Sequence, residues 1–330
     1  MKTIASLFLV LGLLACNAQK MSEQIEIESR ITGLKLCLTH LSVNDVADKP
    51  PVLLIHGASF PTNLASGFEM DGLSWIEFIS KQGHDVYALD FLGYGCSDRY
   101  SKMNDDADGD PLGMGEEVAY DIHQAVKYIL AQNENFDKIN LIGHSWGASV
   151  SGYYTSLYPK TVDKLVLFAP FVRRDGPLEW ERPDYRYIDL TPEKRIKQFS
   201  KAIPQGETTL HENIHLEWGA KWLQSDLTSK KRLPRAVRYP AGWKLDLYNC
   251  WNGSCFFDPK KIKTHTLVIR GEWDTVLNSK DADYLIDELK NVASIKYIIL
   301  KKSTHVAHLE KNRYELYREV EEFLSFKFKK

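Results

Sequence analysis

Two kinds of patterned segment alternate along the chain. Short, continuous apolar runs recur at 52–55 (Val-Leu-Leu-Ile), 86–90, 139–143, 165–169, 266–271 and 295–300. Such runs, bounded by Gly or charged residues, predict strands buried on both faces. Between them lie longer stretches at 73–81, 116–133, 146–158, 280–289 and 314–326 with apolar positions three and four apart, which predict helices packed by one face. Strand alternating with helix means βαβ units, hence an α/β fold with a mostly parallel sheet and helices on both faces. Two earlier segments, 24–28 and 34–41, follow one another without a helix and predict an antiparallel lead-in.

One region breaks the alternation. Residues 171–263 hold no buried-strand run, are dense in Pro, Arg and aromatics, and contain five of the eight Trp: Trp180, Trp218, Trp222, Trp243 and Trp251. This predicts a mainly helical cap inserted over the carboxyl ends of the strands, where open α/β sheets bind ligands. The sheet-forming core is then 24–170 and 264–330. With 44% apolar residues over 330 positions the chain can bury a sizeable core, which excludes disorder for most of it. The cap carries 18 Lys and Arg against 12 Asp and Glu, a local +6 in a chain of net −2. The overall balance argues against nucleic-acid binding. The cap's basic excess has three readings: attraction for an anionic substrate, contact with anionic headgroups, or a solvated face.

The chain starts Met1-Lys2-Thr3 and continues with an apolar run from Ile4 to Ala15. Twelve helical residues span about 18 Å, short of the roughly 30 Å bilayer core. A positive start, a short apolar stretch and small residues at its end predict a secretory signal over 1–15, followed by a tether over 16–23. The ending Leu13-Leu14-Ala15-Cys16 resembles the bacterial lipobox. That resemblance implies a lipidated Cys16 and an exported, membrane-anchored protein. Cys37, Cys96, Cys250 and Cys255 are then an even set in an oxidising compartment. Cys250 and Cys255 flank the turn-prone Trp-Asn-Gly-Ser, a spacing that suits a small loop. All three pairings, and free buried thiols, remain open.

The residues 141–148, Leu-Ile-Gly-His-Ser-Trp-Gly-Ala, carry the chemistry. They fit G-x-S-x-G directly after a buried strand and directly before a helix. A serine on that turn is strained and exposed, its neighbours two residues away must be small, and the helix N-terminus favours a developing oxyanion. Ser145 is therefore the candidate nucleophile. It needs a base, and the base needs an orienting acid. Asp274 sits in the loop after the 266–271 strand, with Glu272 as its nearest rival. His305 sits in the loop after the 295–300 strand, with His308 as its competitor. The order Ser145, Asp274, His305 is the one this sheet expects. Oxyanion donors are expected at the amides of Trp146 and of Ala58, the latter aimed by Gly57 after the 52–55 strand.

On these residues the chain resembles the α/β-hydrolase-fold serine hydrolases with a helical cap. The matching pieces are His56-Gly57-Ala58, the stretch 90–97 (Asp-Phe-Leu-Gly-Tyr-Gly-Cys-Ser), Gly143 to Gly147, Gly271 to Asp274, and His305 with Glu310 behind it. The resemblance implies that 90–97 shapes the active-site floor, so that Gly93 and Gly95 are no dinucleotide loop. A Ser nucleophile speaks against the dehalogenase and epoxide-hydrolase branches. Two departures stand out: Lys302-Ser303-Thr304 precedes His305 where the family often has Gly, and Cys96 replaces a frequent polar residue.

The expected activity is cleavage of an ester, thioester or related acyl bond in a small molecule through an acyl-enzyme, without a cofactor. Trp146 is expected to wall one side of the substrate pocket. The cap aromatics either line an acyl pocket or pack the cap's own core. The alternatives are a proline-iminopeptidase-like aminopeptidase, with Glu179, Glu181 and Glu217 gripping an amino terminus, and a non-catalytic ligand-binding protein. The segment His211-Glu212-Asn213-Ile214-His215 matches H-E-x-x-H, the zinc-protease helix. It lies in the Trp-rich cap without a third ligand at a convincing spacing, and neither it nor the cysteines predicts a metal site.

Overall fold

The computed structural model describes residues 22–42, 48–176 and 178–328. The signal segment and Cys16 lie outside the described residues. Within these bounds the chain runs β1 (Glu23–Glu28), β2 (Lys35–Leu41), β3 (Val52–Ile55), α1 (Trp75–Lys81), β4 (Val86–Asp90), α2 (Gly115–Gln132), β5 (Ile139–His144), α3 (Trp146–Leu157) and β6 (Val162–Phe168). It continues through β7 (Tyr187–Leu190), α4 (Pro192–Phe199), α5 (Gly219–Gln224), β8 (Val237–Pro240) and α6 (Gly242–Trp251). It closes with β9 (His265–Gly271), α7 (Ser279–Glu288), β10 (Ile295–Leu300) and α8 (Arg313–Ser325).

Eight strands form one sheet in the order β1-β2-β4-β3-β5-β6-β9-β10. Pairing is antiparallel at β1–β2 and β2–β4 and parallel from β4 to β10, so the lead-in is as expected. The period-two alternation of each strand divides the core. Val52, Leu54, Ile142, Val166 and Ile269 point to one face, where Trp75 and Ile79 of α1 and Tyr317 and Val320 of α8 cover them. Leu53, Ile55, Leu141, Leu165 and Leu167 point to the other, under Val118 and Ile122 of α2 and Val150 and Tyr154 of α3. Each such side chain taken from water contributes about 1.5–3 kcal/mol, so a strand buried on both faces is held from both.

After β3 the chain goes to β4 on one side and then to β5 on the other. The carboxyl ends of β3 and β5 therefore flank the switch point at which ligands bind in such sheets. The segment between β6 and β9 stands outside the eight-stranded sheet. It contains α4, α5 and α6, and also a two-stranded antiparallel ribbon, β7 with β8, which the sequence did not predict. Both ribbon strands are four residues long, and β7 is buried at one position only, so neither shows a continuous apolar run. Disulfides join Cys37 to Cys96 and Cys250 to Cys255. Among the described residues no helix is long and apolar enough to cross a membrane.

Candidate active site

The turn between β5 and α3 is built by close approach. A Cβ on Gly143 would lie 2.6 Å from the Cα of Ala148, and one on Gly147 would lie 2.1 Å from the carbonyl oxygen of His56. Ser145 between them takes φ 56° and ψ −127°, a left-handed φ rare for a non-glycine residue and found at strained functional turns. Its amide donates to the Phe168 carbonyl (2.8 Å), and its own carbonyl accepts from Ala148 and Ser149 to start α3.

His305 lies in the turn after β10. Its Nε2 is 2.8 Å from Ser145 Oγ, and its Nδ1 is 3.1 Å from both oxygens of Asp274. Asp274, buried after β9, also accepts from the amides of Val276 (2.8 Å) and Leu277 (3.2 Å) through Oδ1. The structure thus brings Ser145, His305 and Asp274 together from three separate loops that follow β5, β10 and β9. The rivals do not enter this arrangement. Glu272 is exposed and bound by Lys301 Nζ and the Lys302 amide. His308 is buried against His144 and Phe168 with neither ring nitrogen hydrogen-bonded, and burial pushes it down to about 3, so it stays neutral.

Several residues beyond these three hold this geometry. His144 Nε2 donates to the His305 carbonyl (2.9 Å), tying the nucleophile's strand to the base's loop. Glu310 is fully buried and accepts from the Thr304 amide and hydroxyl and from the Thr209 hydroxyl of the cap. Lys302 takes a left-handed φ of 50° where the family often has Gly. Cys96, the other departure, is bonded to Cys37 of β2, which fastens the 90–97 loop to the sheet. Inside that loop Asp90 accepts from the Thr62 amide (2.7 Å) and the Cys96 amide (3.2 Å).

Trp146 and Ala58 flank the serine. Among the described residues neither backbone amide has an acceptor in the protein, as donors reserved for an oxyanion require. The Phe91 amide donates to His56 Nε2, which leaves the proton on Nδ1 to donate to the Gly57 carbonyl (2.6 Å) and fix the turn before Ala58. The Trp146 indole donates to Oδ2 of Asp246 in α6 (2.8 Å), and the Gly115 amide at the start of α2 donates to the same oxygen (2.7 Å). Burial pushes the Asp246 carboxyl up to about 7.

A cavity of about 250 Å³ opens onto Ser145 and His305. Its wall is mainly apolar, with Phe60, Trp146, Phe171, Phe199, Trp243 and Leu247, and it carries two cations of the cap, Arg195 and Lys201. Among the described residues no carboxylate lines it. The carboxylates of the aminopeptidase alternative lie elsewhere: Glu179 and Glu181 are exposed, and Glu217 is engaged by Asn213 and Lys221. The cap's other large aromatics, Trp218 and Trp222, are fully buried and pack on Phe199 and on each other. In the H-E-x-x-H segment His211 is turned onto Asp71, while His215 is exposed. Among the described residues no three His, Cys, Asp or Glu side chains converge as metal ligands.

Residues 50–312 match the family described as alpha/beta hydrolase fold. The chain belongs to that family. As an α/β-hydrolase it is 25% identical over 272 residues to the monoacylglycerol lipase ABHD6 of Bos taurus, covering 80% of this chain and 72% of that protein. It is 27% identical over 176 residues to the 1-acylglycerol-3-phosphate O-acyltransferase ABHD5 of Sus scrofa, covering 53% and 44% of the two chains. Among solved structures the hydrolase resembles the carboxylesterase CesB from Bacillus subtilis, with TM-score 0.59, 17% identity and 93% of each chain covered. It also resembles the thioesterase domain from the curacin biosynthetic pathway, with TM-score 0.61, 16% identity and 92% and 99% of the chains covered. These structural likenesses bear on the fold alone.

Proposed function

We propose that this hydrolase cleaves small carboxylic esters through Ser145, His305 and Asp274. The observation that carries the reading is the unbroken line of contacts from Asp274 through both ring nitrogens of His305 to the Ser145 hydroxyl. Asp274 holds the tautomer in which Nε2 is free to accept. His305 takes the serine proton as Oγ attacks the carbonyl carbon, and the amides of Ala58 and Trp146 receive the oxyanion. His305 then protonates the leaving alcohol. Water activated by the same imidazole releases the acid and regenerates the serine. Relatives named as a monoacylglycerol lipase support acyl hydrolysis.

The cavity of about 250 Å³ lies near the lower end of small-ligand pockets, which run roughly 300–1,000 Å³, and so favours short acyl chains. Labelling with a fluorophosphonate, followed by rates on p-nitrophenyl esters of increasing length, tests both points. The expected result is labelling of the wild type but not of Ser145→Ala, with butyrate and hexanoate cleaved faster than palmitate. Undiminished labelling of Ser145→Ala overturns the assignment.

Export and lipidation at Cys16 belong to the same proposal. The N-terminal pattern supports it, and two cysteine pairs suit an oxidising compartment. Fractionation of the Cys16→Ser variant tests it: a protein still found in membranes argues against the anchor.

A further inference from the structure

The cap helix α4 presents Arg195, Gln198 and Phe199 to the catalytic cavity, the i, i+3, i+4 positions of one helix face, and Lys201 follows from the turn beyond. Three arginines of this region are matched to carboxylates: Arg232 to Asp226 (2.8 Å), Arg238 to Asp189 (2.8 Å) and Arg99 to Asp226 (3.7 Å). Among the described residues neither Arg195 nor Lys201 has an acidic partner, and Arg195's hydrogen bond goes to the Tyr239 hydroxyl (2.9 Å). The Arg195 Nε is buried without an acceptor, while the rest of the side chain, half-buried, lines the cavity. A guanidinium binds oxyanions through several N–H groups, and the half-buried Arg195 beside apolar walls has no carboxylate that a ligand would have to displace.

We infer that Arg195, assisted by Lys201, forms a subsite for an anionic oxygen group of the substrate, a carboxylate or phosphate carried away from the scissile carbonyl. The inference rests on the ester-hydrolase reading of Ser145 and gives it a substrate class: short esters with a negative charge on the acyl or alcohol part. Phe60, Phe171 and Leu247 then hold the apolar linker between the reacting carbonyl and the charge. The +6 cap thereby has a local use, drawing anions toward a cavity that no carboxylate lines among the described residues.

The test compares p-nitrophenyl hemiglutarate with p-nitrophenyl hexanoate. The wild type is expected to favour the hemiglutarate in kcat/KM by about 10- to 100-fold, the range of a charge-assisted hydrogen bond. In Arg195→Met that ratio collapses toward one, and in Arg195→Lys it recovers in part. Glutarate and propyl phosphate, tried separately as inhibitors of hexanoate cleavage, distinguish a carboxylate from a phosphate as the natural charge. A wild type without preference overturns the subsite, and so does an Arg195→Met protein slowed equally on both esters, which marks a structural role. The hydrolase reading is checked apart from this, by calorimetric binding of glutarate to Ser145→Ala. Binding that disappears on adding Arg195→Met supports the subsite even if neither ester is cleaved, and absence of binding to Ser145→Ala overturns it.

Discussion

Asp246 offers the sharpest test of how the cap is coupled to the catalytic turn. Its Oδ2 accepts both the Trp146 indole and the Gly115 amide, and the side chain is almost fully buried. Burial raises the carboxyl from 3.8 to about 7. The folded protein then binds this proton more tightly than the unfolded chain, so the contribution is fully present below about pH 4 and is lost as pH rises toward 7. The slope is about 1.4 kcal/mol per pH unit in that window, and the loss between pH 5 and pH 8 is about 2–3 kcal/mol. Asp246→Asn removes the titration while its amide oxygen can keep both acceptor bonds. The added N–H₂ group costs about 1–3 kcal/mol if it finds no acceptor. The variant should therefore be no more stable than wild type at pH 5 and should gain on it by about 2–3 kcal/mol by pH 8. Urea unfolding followed by tryptophan fluorescence at several pH values measures this. If the two proteins lose stability in parallel between pH 5 and pH 8, Asp246 does not titrate as argued.

Asp274→Asn keeps the size of the side chain but permits the wrong imidazole tautomer, and should lower kcat on p-nitrophenyl butyrate by about 10⁴ with the circular dichroism unchanged. A loss below tenfold would place the orienting acid elsewhere. Gly147→Ala puts a Cβ 2.1 Å from the backbone oxygen of His56, an atom that cannot swing aside. The expected cost is about 2–3 kcal/mol, read as a lowered Tm, and a variant as stable as wild type would show that the turn is looser than described. The Cys37–Cys96 bond closes a sequence separation of 59 residues. Replacing both cysteines with Ser should cost about 4 kcal/mol in the chain-entropy picture, and an unchanged denaturation midpoint would refute that constraint.

The central strands were legible because burial on both faces writes an unbroken apolar run into the sequence. Where one face is less strictly apolar the signal thins. β6 starts at Val162, ahead of the expected 165, because Asp163 and Lys164 interrupt its run. Lys164 is nonetheless buried, its ammonium donating to the Leu324 carbonyl. The cap ribbon was missed for the same reason. The nucleophile was legible because the close approach of strand and helix demands small residues at fixed spacing, so Gly143 and Gly147 mark the turn by themselves. His305 and His308 are both compatible with the chain order. What separates them is the turn that Glu310 holds through Thr304, and that contact is set by folding rather than by spacing. Asp246 and Trp146 lie a hundred positions apart, so no local pattern predicts their bond.

That pair shows why the cap is part of the site and not only a cover for it. Two buried carboxyls bridge the layers in opposite directions. Asp246 belongs to the cap and holds the indole of Trp146, whose amide is the proposed oxyanion donor. Glu310 belongs to the core, holds the Thr304 that precedes the base, and also accepts from Thr209 of the cap. Trp218 adds a third tie by donating to the Leu64 carbonyl (2.9 Å) in the segment that follows the Ala58 turn. On the proposed mechanism, the oxyanion amides, the base and the nucleophile's neighbour are thus each close to a hydrogen bond that joins the two layers. An unmet buried donor at any of these anchors costs about 1–3 kcal/mol, so the cap and the catalytic loops stabilise one another's positions. The helices that carry Arg195 and Trp243 to the cavity belong to the insertion that bonds the Trp146 indole directly and reaches Thr304 only through Thr209 and Glu310.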